Sequence, residues 1–333
     1  MCCYRWIYEC ESGCMWESRI WDKLPGEWKE DLLSLSRVQI RDLALGIKNE
    51  QLGASLREFF ASCERLSMPR QCQPNEITST KPKIEHIISD GITEKKLHEV
   101  DHLMELVYKM NSSCGIDTVI DVGAGKGYLS DVLTHYYKMN VINLEGQETH
   151  VKEALNRASI VEKRVKKRQK RENNEPIQKG QSCSISYFLS TPVDLQNLDN
   201  LINGNLLKFK ELNSNISINN GLGLMTLHGC GDLSCTLIQL FTSWERVQTL
   251  ACVGCCFFKL CQSPETKKHV NFPMSRTIKE MIERKGIDLG RIQGILELAT
   301  DSAPKSFTGT ETELLLREKQ LFYRALLKKA LDP

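Results

Sequence analysis

No stretch of this sequence approaches the roughly 20 consecutive apolar residues that a membrane-spanning helix needs. Its longest apolar runs are interrupted by Lys, Asp or Cys. An excess of one charge is also missing. The 44 basic residues face 42 acidic ones, so no global field selects a nucleic acid or an anionic surface. The first residues, MCCYRWIYECESGCMW, lack the charged and apolar regions of a secretory signal. The expectation is an intracellular chain, cytoplasmic or nuclear, with no membrane contact. Zinc-finger spacing is absent as well, although there are 14 cysteines. Neither Cys2, Cys3, Cys10 and Cys14 nor Cys252, Cys255, Cys256 and Cys261 makes two well-separated C-x-x-C pairs. They read as reduced small hydrophobes, the second group within an apolar strand, and no metal site is expected.

What is present is a helical beginning followed by alternation. With 333 residues the chain can bury one large core or two smaller ones. Residues 1–75 read as a helical segment. In it Trp21 to Trp28 (WDKLPGEW) forms a turn, and apolar residues then recur at helical spacing from Leu32 to Leu43 and from Leu52 to Leu66. Residues 76–92 belong to a polar, proline-punctuated linker. A helix with Thr93 as N-cap follows, carrying Leu97, Val100, Leu103, Met104, Val107 and Met110 on one stripe. Strands are then expected at 118–122, 140–144, 184–188, 222–227 and 249–256, with helices between them. Alternation of this kind implies an α/β, doubly wound parallel sheet over residues 93–265. Residues 266–333 read as divergent and mostly helical.

Within that pattern, Thr118-Val-Ile-Asp-Val-Gly-Ala-Gly-Lys-Gly127 carries the strongest signal. A β-branched strand enters a turn with glycine at 123, 125 and 127, which lets the backbone turn sharply and approach a ligand. The next helix offers free N–H groups at its start. A dinucleotide fingerprint would bring its third glycine one residue later. A P-loop would have glycine at 120, where Ile120 stands, and Ser or Thr after Lys126, where Gly127 stands. Asp121 decides between ligands. A carboxylate there repels a pyrophosphate and suits a cationic, ammonium-bearing molecule, so S-adenosyl-L-methionine is the expected cofactor.

Ligands in such sheets bind at the C-terminal strand ends. Glu145 ends the second strand and suits the two ribose hydroxyls of an adenosine, against the alternative of a solvated acid capping the next helix. His228 follows the fourth strand as a candidate base, and Asp232, the second candidate catalytic residue, is also placed as the N-cap of the helix after it. Lys96 and Glu99 open the helix before the first strand and could lean over the cofactor, or simply be solvated. Lys163 to Arg171 (KRVKKRQKR) holds seven basic residues in nine. It could follow an RNA backbone or be a solvated helix face.

Taken together, KKLHEV (95–100), DVGAGKGYLS (121–130), LHGCGDLS (227–234), VGCCFF (253–258), NFPMS (271–275) and LFYRALL (321–327) resemble the methyltransferase-like protein 25 family. Some of its members are named for a ribosomal RNA adenine dimethylase domain. The resemblance extends to WDKLPGEW and covers most of the chain. It implies a Rossmann-like class I methyltransferase fold and S-adenosylmethionine binding through 121–127 and Glu145. LHGCGDLS is also similar to a segment of a tRNA 2′-O-methyltransferase family, which makes RNA a reasonable substrate class.

Departures accompany the resemblance. No Asn/Asp-Pro-Pro-Tyr/Trp motif holds a target adenine amine, so the dimethylase name gains no support. Residues 276–320 diverge from the family's pattern, and no alternating run after 259 supplies the late strands that normally cover the fifth. Residues 250–258 would then be an apolar edge, open to a protein partner unless C-terminal helices cover it, or belonging to a shortened, less stable form. The leading expectation is a methyltransferase with His228 positioning or deprotonating the acceptor. The alternative is a non-catalytic adaptor that keeps the fold, and a dehydrogenase is argued against by Asp121.

Overall fold

The computed structural model describes residues 19–67, 86–172, 179–216, 221–266, 268–287, 296, 300 and 307–331. Residues 76–85 of the expected linker and the first cysteine group lie outside them. The chain divides into two compact units, one of residues 1–78, 263–268 and 279–333, the other of residues 79–262 and 269–278.

In the first unit, α1 (Ile20–Lys23), α2 (Gly26–Ser34), α3 (Arg37–Ala44) and α4 (Ala54–Leu66) follow in succession. The expected turn at 21–28 is mostly helix. Pro25, which cannot donate an amide, separates α1 from α2, and its fixed φ suits the residue that opens α2. Ser36 and Gln39 form a reciprocal capping box at the start of α3. Trp28, Leu43, Leu52 and Leu56 make a small core, and the Trp28 indole donates to Ser55 Oγ at 2.8 Å.

The second unit begins with α5 (His86–Ser89) and α6 (Glu94–Ser113), where Thr93 Oγ1 accepts the Lys96 amide as the expected N-cap. There follow β1 (Thr118–Val122), α7 (Tyr128–His135), β2 (Asn140–Glu145), α8 (Glu148–Arg171) and β3 (Ser182–Ser186). The unit continues with α9 (Leu195–Leu212), β4 (Leu222–Leu227), α10 (Asp232–Ser243) and β5 (Val247–Val253). Two further helices, α11 (Arg276–Arg284) and α12 (Glu311–Leu331), complete the described elements. α12 belongs to the first unit, and within that unit Arg41 bonds Glu311 at 2.7 Å and Glu318 at 2.9 Å.

All five strands are parallel, in the order β3-β2-β1-β4-β5. This is the expected α/β architecture of a Rossmann-like methyltransferase fold. β1, β2 and β4 are buried at every position because helices cover both faces, so most of their residues are apolar, and polar exceptions such as Asp121, Asn143 and Glu145 are buried with them. Val119, Val141 and Met225 pack on one face against Leu103, Met104 and Val132. Ile120, Ile142 and Leu224 pack on the other against Ile202, Leu206 and Leu237. After β1 the chain moves outward to β2 and β3, then returns to β4 on the other side of β1. That reversal opens a crevice above the C-terminal ends of β1 and β4. β5 pairs with β4, and among the described residues no strand lies on its outer side.

Several boundaries differ from expectation. α7 starts only at Tyr128 because Gly127 takes a left-handed φ of 72°. β3 begins two residues early, in register with Val141. β5 stops at Val253, so Cys255 and Cys256 lie in a loop and not in the strand. No helix of the described residues is long and apolar enough to cross a membrane.

One buried ion pair ties α5, α7 and α8 together. Arg157 Nε donates to Asp131 at 2.8 Å, and its other nitrogens donate to the carbonyls of Ile88 and Asp90. Its guanidinium also lies 4.4 Å from the Tyr128 ring centroid. Burial pushes the Asp131 carboxyl up to about 6, against the pull of Arg157. Removing one partner of such a pair strands a buried charge. Arg157→Ala should therefore lower unfolding free energy by about 3–5 kcal/mol at pH 8, read from urea denaturation. The loss should be smaller at pH 5, where Asp131 is protonated in the fold. An unchanged urea midpoint at pH 8 would refute this role.

Candidate functional site

The turn after β1 is built from residues that other side chains would strain. Gly123, Gly125 and Gly127 have φ of 73°, 56° and 72°, in the left-handed region. A Cβ on Gly127 would also stand 3.3 Å from that of Ala154 on α8. The turn is pinned to the end of β2. The amide of Gly123 donates to the Leu144 carbonyl at 2.8 Å, and that of Gly125 donates to Glu145 Oε2 at 2.8 Å. Above it lies a cleft of about 320 Å³, lined by the turn together with Lys96, Tyr128, His150, Leu227 and His228.

Asp121 sits at the base of this region and is wholly buried. Among the described residues neither of its carboxylate oxygens has a hydrogen-bond partner. Burial pushes its carboxyl up to about 7; Lys96 pulls it down and Glu145 pushes it further up. A buried acid without donors is costly, and native structures rarely retain one without a reason. A ligand that brings positive charge and N–H donors would supply what it lacks.

The other sequence candidates divide into those at the cleft and those beneath or beside it. Lys96 lines it, with its ammonium 5.9 Å from the Tyr128 ring centroid. Glu99, one turn along α6, meets His228 Nε2 at 3.2 Å and Lys95 Nζ at 3.3 Å. An acid and an imidazole 129 positions apart thus form a pair at the cleft's edge. His228 adopts φ 70°, an uncommon conformation for a residue other than glycine. Glu145 is almost fully buried, and its second oxygen accepts the Gln147 amide at 2.9 Å. It therefore holds the glycine turn and the start of α8 together, while its unused lone pairs remain available to a ligand's hydroxyls. Asp232 is the first residue of α10 and not its N-cap, which is Gly231. Its oxygens accept the Cys261 amide at 2.7 Å and the Asn271 side chain at 2.9 Å, and it does not line the cleft.

Tyr128 and His150 line the cleft although the sequence reading missed them. Their signal was position, since each stands in the first turn of a helix that follows a strand end. The basic run 163–171 forms the last turns of α8. There Arg164 pairs with Asp90, Lys166 with Glu162 and Arg168 with Glu172.

Comparison with known proteins adds a family. A model described as a methyltransferase domain matches residues 95–263, about half of the chain. A mouse protein named "Probable methyltransferase-like protein 25" is 41% identical over 63 residues, covering 19% of this chain and 11% of that protein. Its human counterpart is 38% identical over 72 residues, covering 22% and 12%. The matched segment thus spans about a tenth of either relative. No solved structure matches the chain.

The buried acid yields a pH signature. Its folded pKa, about 7, lies above the ordinary 3.8, so the folded state holds the proton more tightly. Stability of the ligand-free protein should then fall as pH rises from about 4 to about 7, and level off above. Asp121→Asn should flatten that slope and raise stability at pH 8 by about 1–3 kcal/mol, the lost charge penalty exceeding that of an unsatisfied amide. Thermal unfolding from pH 4 to pH 8 tests this, and an unaltered slope in the variant would contradict it.

Proposed function

This chain belongs to the methyltransferase-domain family, and from that premise we propose that it transfers a methyl group from S-adenosyl-L-methionine to an RNA acceptor. The observation that carries the cofactor reading is Asp121, a buried carboxylate without donors beneath a left-handed glycine turn. A pyrophosphate would face repulsion there, whereas the ammonium of a methionine moiety supplies both charge and hydrogen bonds. Lys96 at the cleft suits the carboxylate of the same moiety, and Glu145 suits ribose hydroxyls.

When bound, the cofactor supplies an electrophilic methyl group on a sulfonium sulfur. The protein's part is chiefly to hold the acceptor in line with that methyl and to exclude water. His228 takes the acceptor's proton, and Glu99, 3.2 Å from its Nε2, stabilises the resulting imidazolium. RNA as acceptor is favoured by the basic run on α8, the helix whose first turn carries His150 at the cleft.

Calorimetry and methyl-label transfer into separated RNA and protein fractions test the reading. Asp121→Ala should weaken cofactor binding at least tenfold. His228→Ala should slow transfer about 10²–10⁴-fold with cofactor affinity nearly unchanged. A folded protein that does not bind the cofactor would refute the enzyme, and label entering only protein would refute the RNA acceptor.

A further inference from the structure

Three cysteines that are scattered in sequence converge just beyond the cleft. Cys230 follows β4, and Cys255 and Cys256 follow β5. The sulfurs of Cys230 and Cys255 are 3.0 Å apart, those of Cys255 and Cys256 are 3.5 Å apart, and all three lie within 4.8 Å of one another. Neighbouring cysteines lie outside the group: Cys252 donates to Ser234 Oγ, and Cys261, beyond the 3-10 turn at Phe257–Lys259, sits beside Asp232. Each of the three is partly exposed, so a small solute can reach them.

The backbone holds this arrangement. The Gly229 amide donates to the Val253 carbonyl at 2.9 Å, and the amides of Gly231 and Lys259 both reach the Cys256 carbonyl, at 3.3 and 3.0 Å. Gly231 has φ 56°, and a Cβ there would stand 2.6 Å from the Lys259 carbonyl oxygen. Only glycine allows the β4 and β5 loops to meet this closely. The thiols are therefore brought together by main-chain contacts and not by chance rotamers.

We propose that Cys230, Cys255 and Cys256 form a three-thiolate site for a soft closed-shell cation, Zn²⁺ or Cu⁺, at the C-terminal ends of β4 and β5. Zinc–sulfur bonds of about 2.3 Å set tetrahedral sulfurs about 3.8 Å apart, so the 3.0 and 3.5 Å separations need to open by less than an ångström. Binding exchanges up to three thiol protons for the metal and needs no oxidant. Among the described residues no fourth His, Cys, Asp or Glu joins the group. Three protein ligands with one open position are the pattern of a reactive zinc site, whereas a purely structural one is closed. Three sulfurs alone also suit trigonal Cu⁺. Cys230 stands two residues beyond His228, which lines the cleft. The thiolate site does not depend on the cofactor reading.

The test uses the full chain, reduced, equilibrated with ZnCl₂ or, anaerobically, with a Cu⁺ complex, then freed of excess metal and assayed by elemental mass spectrometry. One equivalent is expected from at least one metal. Cys230→Ser, Cys255→Ser and Cys256→Ser should each weaken binding at least tenfold, and the exposed controls Cys63→Ser and Cys114→Ser should not. Co²⁺ should give a sulfur-to-metal charge-transfer band that the first three variants lose. Should a serine variant fail to fold, alkylation mapping of the wild type decides, because bound metal must slow modification of these three cysteines. A folded wild type that takes up neither metal would overturn the proposal. So would metal retained by all three variants, unprotected alkylation, or thiols consumed instead as a Cys230–Cys255 disulfide.

Discussion

The parallel pairing of β1 with β2 on one side and β4 on the other is the constraint on which this molecule's chemistry depends. It forces the chain to reverse direction across the sheet and leaves the ends of β1 and β4 uncovered by a crossover. The cleft residues gather around that reversal. The glycine turn leaves β1, Glu145 ends β2, and His228 leaves β4. α6, which precedes β1, delivers Lys96 and Glu99 to the same region.

The site is maintained at some expense of stability. Full burial strips Asp121 of water, and the fold returns no hydrogen bond for it among the described residues. His228, a residue other than glycine, holds a left-handed φ across the cleft, whereas the glycines of the turn take theirs without strain. The surrounding framework carries this strain through two dense apolar layers and through the Arg157 tether. Concentrating unfavourable local geometry where a ligand would relieve it is the pattern expected of a binding site. Glu145 illustrates how closely structure and ligand chemistry overlap, since the acid suited to a ribose already holds the turn in shape.

Much of this was legible in the sequence, and the exceptions have identifiable causes. β1, β2 and β4 were readable because strands buried on both faces are mostly apolar and β-branched, with polar residues kept for particular positions. Thr93 was readable as a cap because its side chain acts within one turn. β5 was read too far because Cys255 and Cys256 are as apolar as the strand before them. Asp232 was read as a cap, yet amide and amide-like donors 29 and 39 residues away draw its carboxylate off. The same blindness to distance hid the thiol cluster. Cys255 and Cys256 were grouped with Cys252 and Cys261 by proximity along the chain, while Cys230 approaches them from another strand.

The sequence by itself determined the fold class, the glycine turn and the residue types at the strand ends. These follow from short apolar, β-branched runs alternating with helical patterning and from the φ values that glycine adopts easily, all of them local properties. Tertiary structure alone decided that Asp121 loses its hydrogen-bond partners, that Glu99 meets His228, and that three sulfurs converge. Desolvation and contacts between distant residues depend on which strands become neighbours, and that is settled by packing the whole sheet at once.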